Sequence, residues 1–284
     1  MIASLHNGVT TLKSLTQGLQ VLGNNIANVN SLGYKSSRAN YSDNFYLHLE
    51  DAKAGADGES RNEVQQYGSG VHVGSITSNF KQGTIDVTGL DLDLAIEGGA
   101  LPNAGGFFEV VDPDTGELFY TRAGAFETTN LEGVVVTRDR FSYQLQGQDG
   151  PLLLGPQDGE TILARRVEED GKVNLLVNKD DLDSLRPAGQ LKLVNFSAPQ
   201  YLRRVGNGYF SNGRAGQDLA SILDNPLPTI GSNGKIRQYA LELSNVDLTN
   251  EFASMITHQR SFQAGSRVVT TSDMILSEAV NLKR

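Results

Sequence analysis

The residue types that most often do chemistry are present in this sequence but are not grouped. Histidine occurs at positions 6, 48, 72 and 258, and no two of these have the spacing of metal ligands. Cysteine is absent, which excludes disulfides, thiolate nucleophiles and cysteine-ligated metals. There is also no phosphate-binding P-loop and no nucleophilic serine elbow. We therefore predict no catalytic site, no metal site and no cofactor.

Two acidic stretches could carry chemistry of other kinds. Residues 112–117 resemble a calcium loop, but the glycine stands at the wrong position for an EF-hand, and a hairpin turn explains the stretch better. The neighbouring carboxylates Glu168 and Glu169 could in principle serve a glycoside hydrolase. The chain would then be a secreted, β-rich carbohydrate-binding or glycan-active protein. The absence of tryptophan argues against that alternative, because it weakens any surface on which a sugar could stack.

Charge and hydropathy exclude two further classes of function. The chain has 284 residues and a net charge of −9, the wrong sign for a general nucleic-acid binder. Its apolar runs are far shorter than the roughly 18 residues of a membrane-spanning helix, so we expect no membrane insertion. The first residues lack the basic cluster and the apolar run of a secretory signal. Export, if it occurs, must use a route that does not read such a signal.

Both ends of the chain have the apolar periodicity of long helices. In the N-terminal segment an apolar residue recurs every seven positions, at Leu5, Leu12, Leu19 and Ile26. In the C-terminal segment, where a second and partly polar line begins at Phe252, the same spacing gives Leu248, Met255, Phe262, Val269 and Leu276. Heptads of this kind are typical of helices that pair as a coiled coil. Lys13 is the only Lys, Arg, Asp or Glu before Tyr34, so the N-terminal helix should be covered on several sides after assembly.

Between the two helices the pattern changes to that of β-structure. Alternation such as that of Leu92, Leu94 and Ile96, together with frequent turn signals, predicts an antiparallel β domain over residues 71–239. Residues 36–70 are polar and predict an extended linker segment, and residues 1–35 and 240–284 form the predicted terminal-helix domain. The predicted fold class is α+β, with two long terminal helices paired as a coiled coil and a mainly antiparallel β domain between them.

Signatures near both ends resemble those of the bacterial flagellar rod and hook proteins. The N-terminal signature consists of Asn24, Asn25, Ala27, Asn28, Gly33, Tyr34 and Lys35. The C-terminal signature consists of Ser244, Asn245, Asp247, Gln259 and Arg260. The resemblance implies a structural, non-enzymatic subunit whose paired helices line the inside of a tubular polymer and whose β domain faces outward.

The resemblance also implies a location and a set of partners. The expected location is the bacterial flagellum, in its hook or basal body, after unfolded export without a cleaved signal peptide. The expected partners are further copies of the chain in a helical homopolymer, the adjoining rod, hook and junction proteins, the flagellar export apparatus and an assembly cap.

Different features of the sequence favour different segments of the flagellum. Residues 71–77 and 281–284 are similar to those of hook proteins, which favours the hook, the universal joint that transmits torque. The length favours the distal rod, because hook proteins usually carry an additional outer β domain. We therefore favour a hook subunit, with a distal rod subunit as the alternative. A coiled-coil adaptor that binds the helix of another protein stays open as a third possibility.

Overall fold

The computed structural model describes residues 2–50, 65–98, 106–129, 133–156, 160–179, 182–213 and 234–282. Its architecture is α+β, as predicted, with a helix near each end of the chain and mainly antiparallel β-structure between them. Two compact units can be separated. The first comprises Met1–Ala27, Ser37–Thr77 and Asp247–Arg284, and the second comprises Asn28–Ser36 and Ser78–Val246.

The first unit contains the two long helices and short paired strands. Its elements are α1 (Ile2–Ala27), β1 (Ser37–Asp43), β2 (Tyr46–Glu50), β3 (Gln65–Gly68), β4 (Val71–Ser78, whose last residue belongs to the second unit) and α2 (Leu248–Asn281). Strand β1 pairs with β4, and β2 pairs antiparallel with β3. The segment for which the sequence predicts an extended linker thus contains strands, and its residues 51–64 lie outside the described part.

Local hydrogen bonds explain where α1 ends and where α2 begins. Helix α1 stops at Ala27, and a turn follows in which the Ser31 hydroxyl donates to Asn28 Oδ1 at 3.1 Å. Asp247 is the N-cap of α2, and its carboxylate accepts from the backbone N–H groups of Thr249 and Asn250. These are donors that the first turn of a helix leaves without an internal partner.

The second unit is built from short strands. They are β5 (Ile85–Val87), β6 (Leu94–Glu97), β7 (Phe107–Val111), β8 (Leu118–Thr121), β9 (Phe126–Thr128), β10 (Val135–Thr137), β11 (Gln144–Gly147), β12 (Gly150–Pro151), β13 (Thr161–Val167), β14 (Lys172–Lys179), β15 (Leu182–Gln190), β16 (Leu193–Val194), β17 (Arg203–Gly206), β18 (Tyr209–Ser211), β19 (Lys235–Gln238) and β20 (Ala240–Glu242). A 3₁₀ turn spans Pro199–Tyr201.

One large sheet organises this unit. Its strand order is β17-β18-β8-β7-β11-β10-β9, with β12 beside β11 and β16 beside β7. Strands β13, β14 and β15 form a separate antiparallel sheet, and β19 pairs with β6 and β20 with β5. The buried side chains follow the period of two expected of strands. In β14, for example, Val173, Leu175 and Val177 are buried and the residues between them are not.

An aromatic cluster fills one part of the core. The ring of Phe107 lies 5.8 Å from that of Phe80 and 5.7 Å from those of Phe196 and Phe210, measured between centroids. All four side chains are buried. Edge-to-face and tilted contacts of this kind add stability beyond the burial of apolar area.

Residues 112–117 form a hairpin turn between β7 and β8, which confirms the sequence prediction over the calcium-loop alternative. The Asp112 carboxylate accepts from the Asp114 N–H at 3.0 Å and from the Thr115 hydroxyl at 2.9 Å. The backbone hydrogen bond from Asp114 is the main cause that holds the pKa of Asp112 below its ordinary value. The carboxylate is therefore engaged in closing its own turn.

Candidate assembly surface

Helices α1 and α2 pack against each other in opposite directions within the first unit. Near the start of α1, the hydroxyl oxygens of Ser4 and Ser272 lie 3.2 Å apart. Near its end, Asn25 Nδ2 donates to Glu251 Oε1 at 3.1 Å. Contacts that advance along α1 thus move back along α2, which makes the pair antiparallel. Such packing, rather than intrinsic propensity, supplies most of the stability of helices in proteins.

Small residues allow the two helices to approach closely. A methyl group added to Gly8 would lie 2.7 Å from Val269 Cγ2, and one added to Gly265 would lie 3.3 Å from Leu12 Cδ2. Contacts shorter than about 3.5 Å between carbon atoms are repulsive, so at Gly8 a side chain would push the helices apart. Gly8 therefore fixes the distance between α1 and α2 at this level.

The surface of α2 that meets α1 has a second, polar line. It repeats every seven residues and consists of Glu251, His258, Gly265 and Ser272. The apolar heptad search does not find this line because none of its members is hydrophobic. The sequence did contain a signal for this line. Small and hydrogen-bonding residues recur every seven positions beside the apolar line that includes Val269.

Asn25, a residue of the N-terminal signature, is a buried polar anchor for this packing. Its Nδ2 donates to the Ser37 carbonyl at 2.8 Å as well as to Glu251, and its Oδ1 accepts from the Ser37 N–H at 2.9 Å. Only 1% of its surface is exposed. A single amide thereby joins α1, β1 and α2, and most of its hydrogen-bonding capacity is used.

A second polar contact links β1 and α2 beside Gly18, nearer the start of α1. The Tyr41 hydroxyl lies 3.0 Å from His258 Nε2, and His258 Nδ1 lies 2.8 Å from the Ser254 carbonyl. Because a carbonyl can only accept, His258 Nδ1 donates to Ser254. A methyl group on Gly18 would overlap the Tyr41 hydroxyl. Burial raises the pKa of Tyr41, so its hydroxyl remains a donor at neutral pH.

The predicted helix-pairing residues are only partly covered within one copy of the chain. Half-buried positions are Leu5, Leu12, Leu19, Ile26, Met255, Val269 and Leu276. Exposed positions are Leu248 (39%), Phe252 (49%) and Phe262 (37%). Of the signature residues near them, Asn24, Ala27, Gln259 and Arg260 are exposed and Asn28 is half-buried. The assignment of these side chains to a coiled-coil seam stays a prediction.

The other signature residues converge on a buried cluster of charges in the second unit. Glu242 Oε1 accepts from Lys35 Nζ at 2.7 Å and from the Gly83 N–H at 2.8 Å, and Glu242 Oε2 accepts from Arg122 at 3.1 Å. The three charged side chains are at most 2% exposed. We call Lys35, Arg122 and Glu242 the ion triad.

Gly33 and the side chain of Asn245 bind neighbouring backbone groups and hold the triad in place. Gly33 has a φ of +61° and donates its N–H to the Glu242 carbonyl at 2.8 Å. A methyl group on Gly33 would lie 2.7 Å from the Ala123 nitrogen, so both conformation and space require glycine. Asn245 Oδ1 accepts from the Ser36 N–H at 2.7 Å, and its Nδ2 donates to the Lys81 carbonyl at 2.9 Å.

Neighbouring signature residues complete this frame. The guanidinium of Arg204 lies 5.1 Å from the centroid of the Tyr34 ring and also donates to the Lys35 carbonyl. The Ser244 hydroxyl accepts from the Val246 N–H at 3.3 Å. These signature residues therefore have a structural role in this chain. They connect the segment after α1 to the segment before α2 around the buried carboxylate of Glu242.

The triad holds two cations and one carboxylate, and this imbalance changes its protonation. Burial and then the nearby Arg122 lower the pKa of Lys35 from 10.5 to about 8, and these effects exceed the opposing attraction of Glu242. Burial also lowers the pKa of Arg122. The folded protein therefore releases the proton of Lys35 more readily than the unfolded chain does.

We predict that the triad makes the free energy of unfolding rise with pH above about 8. Between the folded and unfolded pKa values of Lys35, the unfolded chain binds more protons, so raising the pH favours the folded state. Urea denaturation from pH 7 to about pH 9.5 measures this gain, and the Lys35→Met variant removes it. The sign is wrong if the difference in unfolding free energy between the two proteins stays constant over this range.

The remaining candidates for chemistry are not brought together. Glu168 accepts from Asn174 Nδ2 at 2.9 Å, whereas Glu169 pairs with Lys235 at 2.9 Å. His72 Nδ1 lies 2.7 Å from Asn44 Oδ1. Within the described ranges, no group of three His, Cys, Asp or Glu side chains is placed to hold a metal ion. Neither α1 nor α2 is long and apolar enough to cross a membrane.

Comparison with family models finds two matches along the chain. Residues 237–282 match the model described as flagellar basal body rod FlgEFG protein C-terminal. Residues 103–175 match the model described as flagellar hook protein FlgE/F/G D1 domain. The first match includes α2 and Glu242, and the second includes Arg122, so both contain parts of the geometry described above.

Full-length relatives carry the name of a rod protein. The flagellar basal-body rod protein FlgG of Bacillus subtilis is 35% identical over 285 residues, covering 100% of both chains. The protein of the same name from Caulobacter vibrioides is 31% identical and covers 99% of both. The flagellar hook protein FlgE of Borreliella burgdorferi is 32% identical over 185 residues, which is 64% of this chain and 36% of the hook protein.

Proposed function

Since the chain belongs to the family of flagellar rod and hook proteins, and is thus a structural, non-enzymatic subunit of the bacterial flagellum, we propose that it polymerises in the distal rod. The choice of the rod over the hook rests on the share of each relative's length that aligns with this chain. Rod proteins align with the chain from end to end, whereas the hook protein aligns over about a third of its own length.

This proposal replaces the preference for the hook that the sequence motifs suggest. Residues 71–77 favoured the hook, yet β4, to which they belong, serves the internal packing of the first unit. The Val71 carbonyl accepts from the buried Ser14 hydroxyl of α1 at 2.8 Å. A strand with this role would be needed in rod and hook subunits alike, so the motif does not distinguish them. The aligned length supports the rod, because this chain and the rod protein of Bacillus subtilis align over 100% of both chains.

Exposed apolar side chains on α2 support polymerisation. A helix that is permanently solvated carries charged residues on its outer face. The following large apolar residues of α2 and its C-cap are exposed within one copy: Leu248, Phe252, Ile256, Phe262, Val268, Met274, Ile275, Val280 and the C-cap residue Leu282. Apolar surface on this scale marks an interaction site. Further copies of the chain would bury it, and the helix pair would then continue as a coiled coil through the predicted heptad positions.

The remaining features follow from a place in the distal rod. The helix pair, with residues 1–35 and 240–284, would line the tube, residues 36–70 would connect it to the β domain, and residues 71–239 would face outward. Partners would be further copies in a helical homopolymer, the adjoining rod, hook and junction proteins, the assembly cap and the export apparatus. The chain would be exported unfolded and without a cleaved signal.

Deletion of the gene tests the choice between rod and hook. A distal rod subunit is required before a hook can be built, so basal bodies from the deletion strain should have a shortened rod and no hook. Expression of the full-length protein from a plasmid should restore both. Electron microscopy of purified basal bodies provides the measurement, and a full-length rod that lacks only its hook would contradict the proposal.

A further inference from the structure

One groove of the first unit is lined entirely by uncharged residues. It lies between α1 and the strands β1 and β4 and has a volume of about 590 Å³. The residues of α1 that line it are Gln17, Gln20, Val21 and Asn24, and Ser37, Val73, Ser75 and Ile76 line the opposite side. Ile76 is 57% exposed although it is a large aliphatic side chain. We call this site the α1–β4 groove.

A stripe on α2 also lacks charged residues. Six exposed residues without charge follow one another at intervals of three or four along its C-terminal half and at its C-cap: Ala264, Val268, Thr271, Ile275, Ala279 and the C-cap Leu282. Intervals of three and four place residues on one face of a helix. The large members, Val268, Ile275 and Leu282, are 48%, 47% and 84% exposed. We call this face the outer stripe.

The outer stripe lies beside the face of α2 that contacts α1. That face includes Gly265, Val269 and Ser272. At about 100° per residue, Val268 and Ile275 lie about 60° and about 80° from Gly265 around the helix axis, and their side chains remain 48% and 47% exposed. A third face also exposes Phe252 and Ile256 but continues into Gln259 and Gln263. The outer stripe is therefore the face on which aliphatic side chains repeat without amides between them.

We propose that the outer stripe of one copy of the chain docks in the α1–β4 groove of the next copy. This inference rests on the proposed polymer and assigns two surfaces to it. An open helical polymer needs a heterologous contact, in which two different patches of the same chain complement each other. The groove and the stripe are such a pair, since both lack charge, both are exposed within one copy, and they share no residue.

The dimensions agree with partial insertion of the stripe. Gln17 to Asn24 spans about 10 Å of α1 at 1.5 Å per residue, whereas Ala264 to Leu282 spans about 27 Å of α2. The groove thus takes about two helical turns of the stripe, with Ile275 near the middle of the aliphatic positions. The rest of the stripe is left for further neighbours in the helical array.

The absence of cysteine from the chain allows a direct test by disulfide cross-linking. The double variant Ile76→Cys/Ile275→Cys places one thiol in the groove and one on the stripe. The control Ile76→Cys/Ile256→Cys moves the second thiol to another face of α2 at nearly equal exposure, 50% against 47%. Each full-length variant replaces the native protein in cells, and hook–basal bodies are purified, oxidised and separated on a non-reducing gel.

We expect a ladder of cross-linked multimers from the Ile275 variant, at least about tenfold stronger than from the control, and its loss on reduction. An equal or stronger ladder from the control overturns the docking of the stripe. So does the absence of a ladder when the variant is present in the basal body, and in that case the rod assignment still stands. Absence of the native protein from basal bodies would instead defeat the proposed function.

A charge exchange keeps the proposal testable if the cysteine variants do not assemble. Ile76→Lys and Ile275→Glu should each lower the number of assembled basal bodies about tenfold or more, because each buries a charge in a contact that offers it no charged partner. The double variant should recover most of this loss, since the two charges meet in adjacent copies. Recovery no better than the weaker single variant overturns the proposed contact.

Discussion

Replacing Glu242 with glutamine should destabilise the second unit by about 3–5 kcal/mol. The substitution keeps the shape of the side chain but leaves Lys35 and Arg122 buried without a counter-charge. The amide nitrogen of glutamine can only donate, so at least one of the present hydrogen bonds is lost as well. A domain of this size has a free energy of unfolding of about 5–15 kcal/mol, so much of the variant should be unfolded or aggregated at the growth temperature of the cells.

Lys35→Met is the matched control for this prediction, and it should cost about 1 kcal/mol or less. Removing the Lys35 ammonium leaves Arg122 and Glu242 as a pair of opposite charges, and Glu242 still accepts the hydrogen bond from the Gly83 N–H. The Lys81 carbonyl also keeps a donor, because Asn245 Nδ2 lies 2.9 Å away. Urea denaturation followed by circular dichroism gives both values. Equal losses from the two variants would show that the carboxylate is not the centre of the triad.

Replacing Gly8 with leucine should separate α1 from α2 and reduce assembly severely. Even a methyl group at this position would lie 2.7 Å from Val269 Cγ2, so a leucine side chain cannot be accommodated without moving a helix. Overpacking of this kind typically costs about 1–3 kcal/mol in one copy. A displaced helix would also present its outer faces in the wrong direction to every neighbour, so the effect on a polymer should exceed the effect on one subunit.

Gly23→Leu makes the same change on the same helix and serves as the control. No described atom lies within 4 Å of a methyl group at Gly23, beyond its chain neighbours and the helix backbone. Leucine also has a higher helix propensity than glycine by about 0.8 kcal/mol, so this variant should be as stable as the native protein or slightly more stable. Thermal unfolding and motility in soft agar compare the two. Normal motility with Gly8→Leu would contradict the close packing of the helices.

The sequence predicts the elements of this fold better than the contacts between them. Heptad spacing of residues such as Leu12 and Val269 reveals the helices, because amphipathic periodicity is a local property. Alternation and turn signals reveal the β domain and the hairpin at Asp112 for the same reason. The heptad spacing does not predict that the two helices run antiparallel. It also does not predict the short distance between them that Gly8 and Gly265 permit.

The ion triad lies beyond the reach of local patterns for a different reason. Lys35, Arg122 and Glu242 are far apart in the chain, and each is an ordinary charged residue in its own segment. Only the folded second unit makes them neighbours and buries them. The stretches that resemble the family include the triad residues, but the resemblance gave no reason why these charges are required.

Cryo-electron microscopy of purified hook–basal bodies, at a resolution that distinguishes side chains, tests the central claim most directly. The account predicts that this chain fits the density of the straight rod near its distal end, with α1 and α2 in contact with neighbouring copies. Placement of the chain in the curved hook outside the cell envelope, or rod density that fits only other subunits, would contradict it.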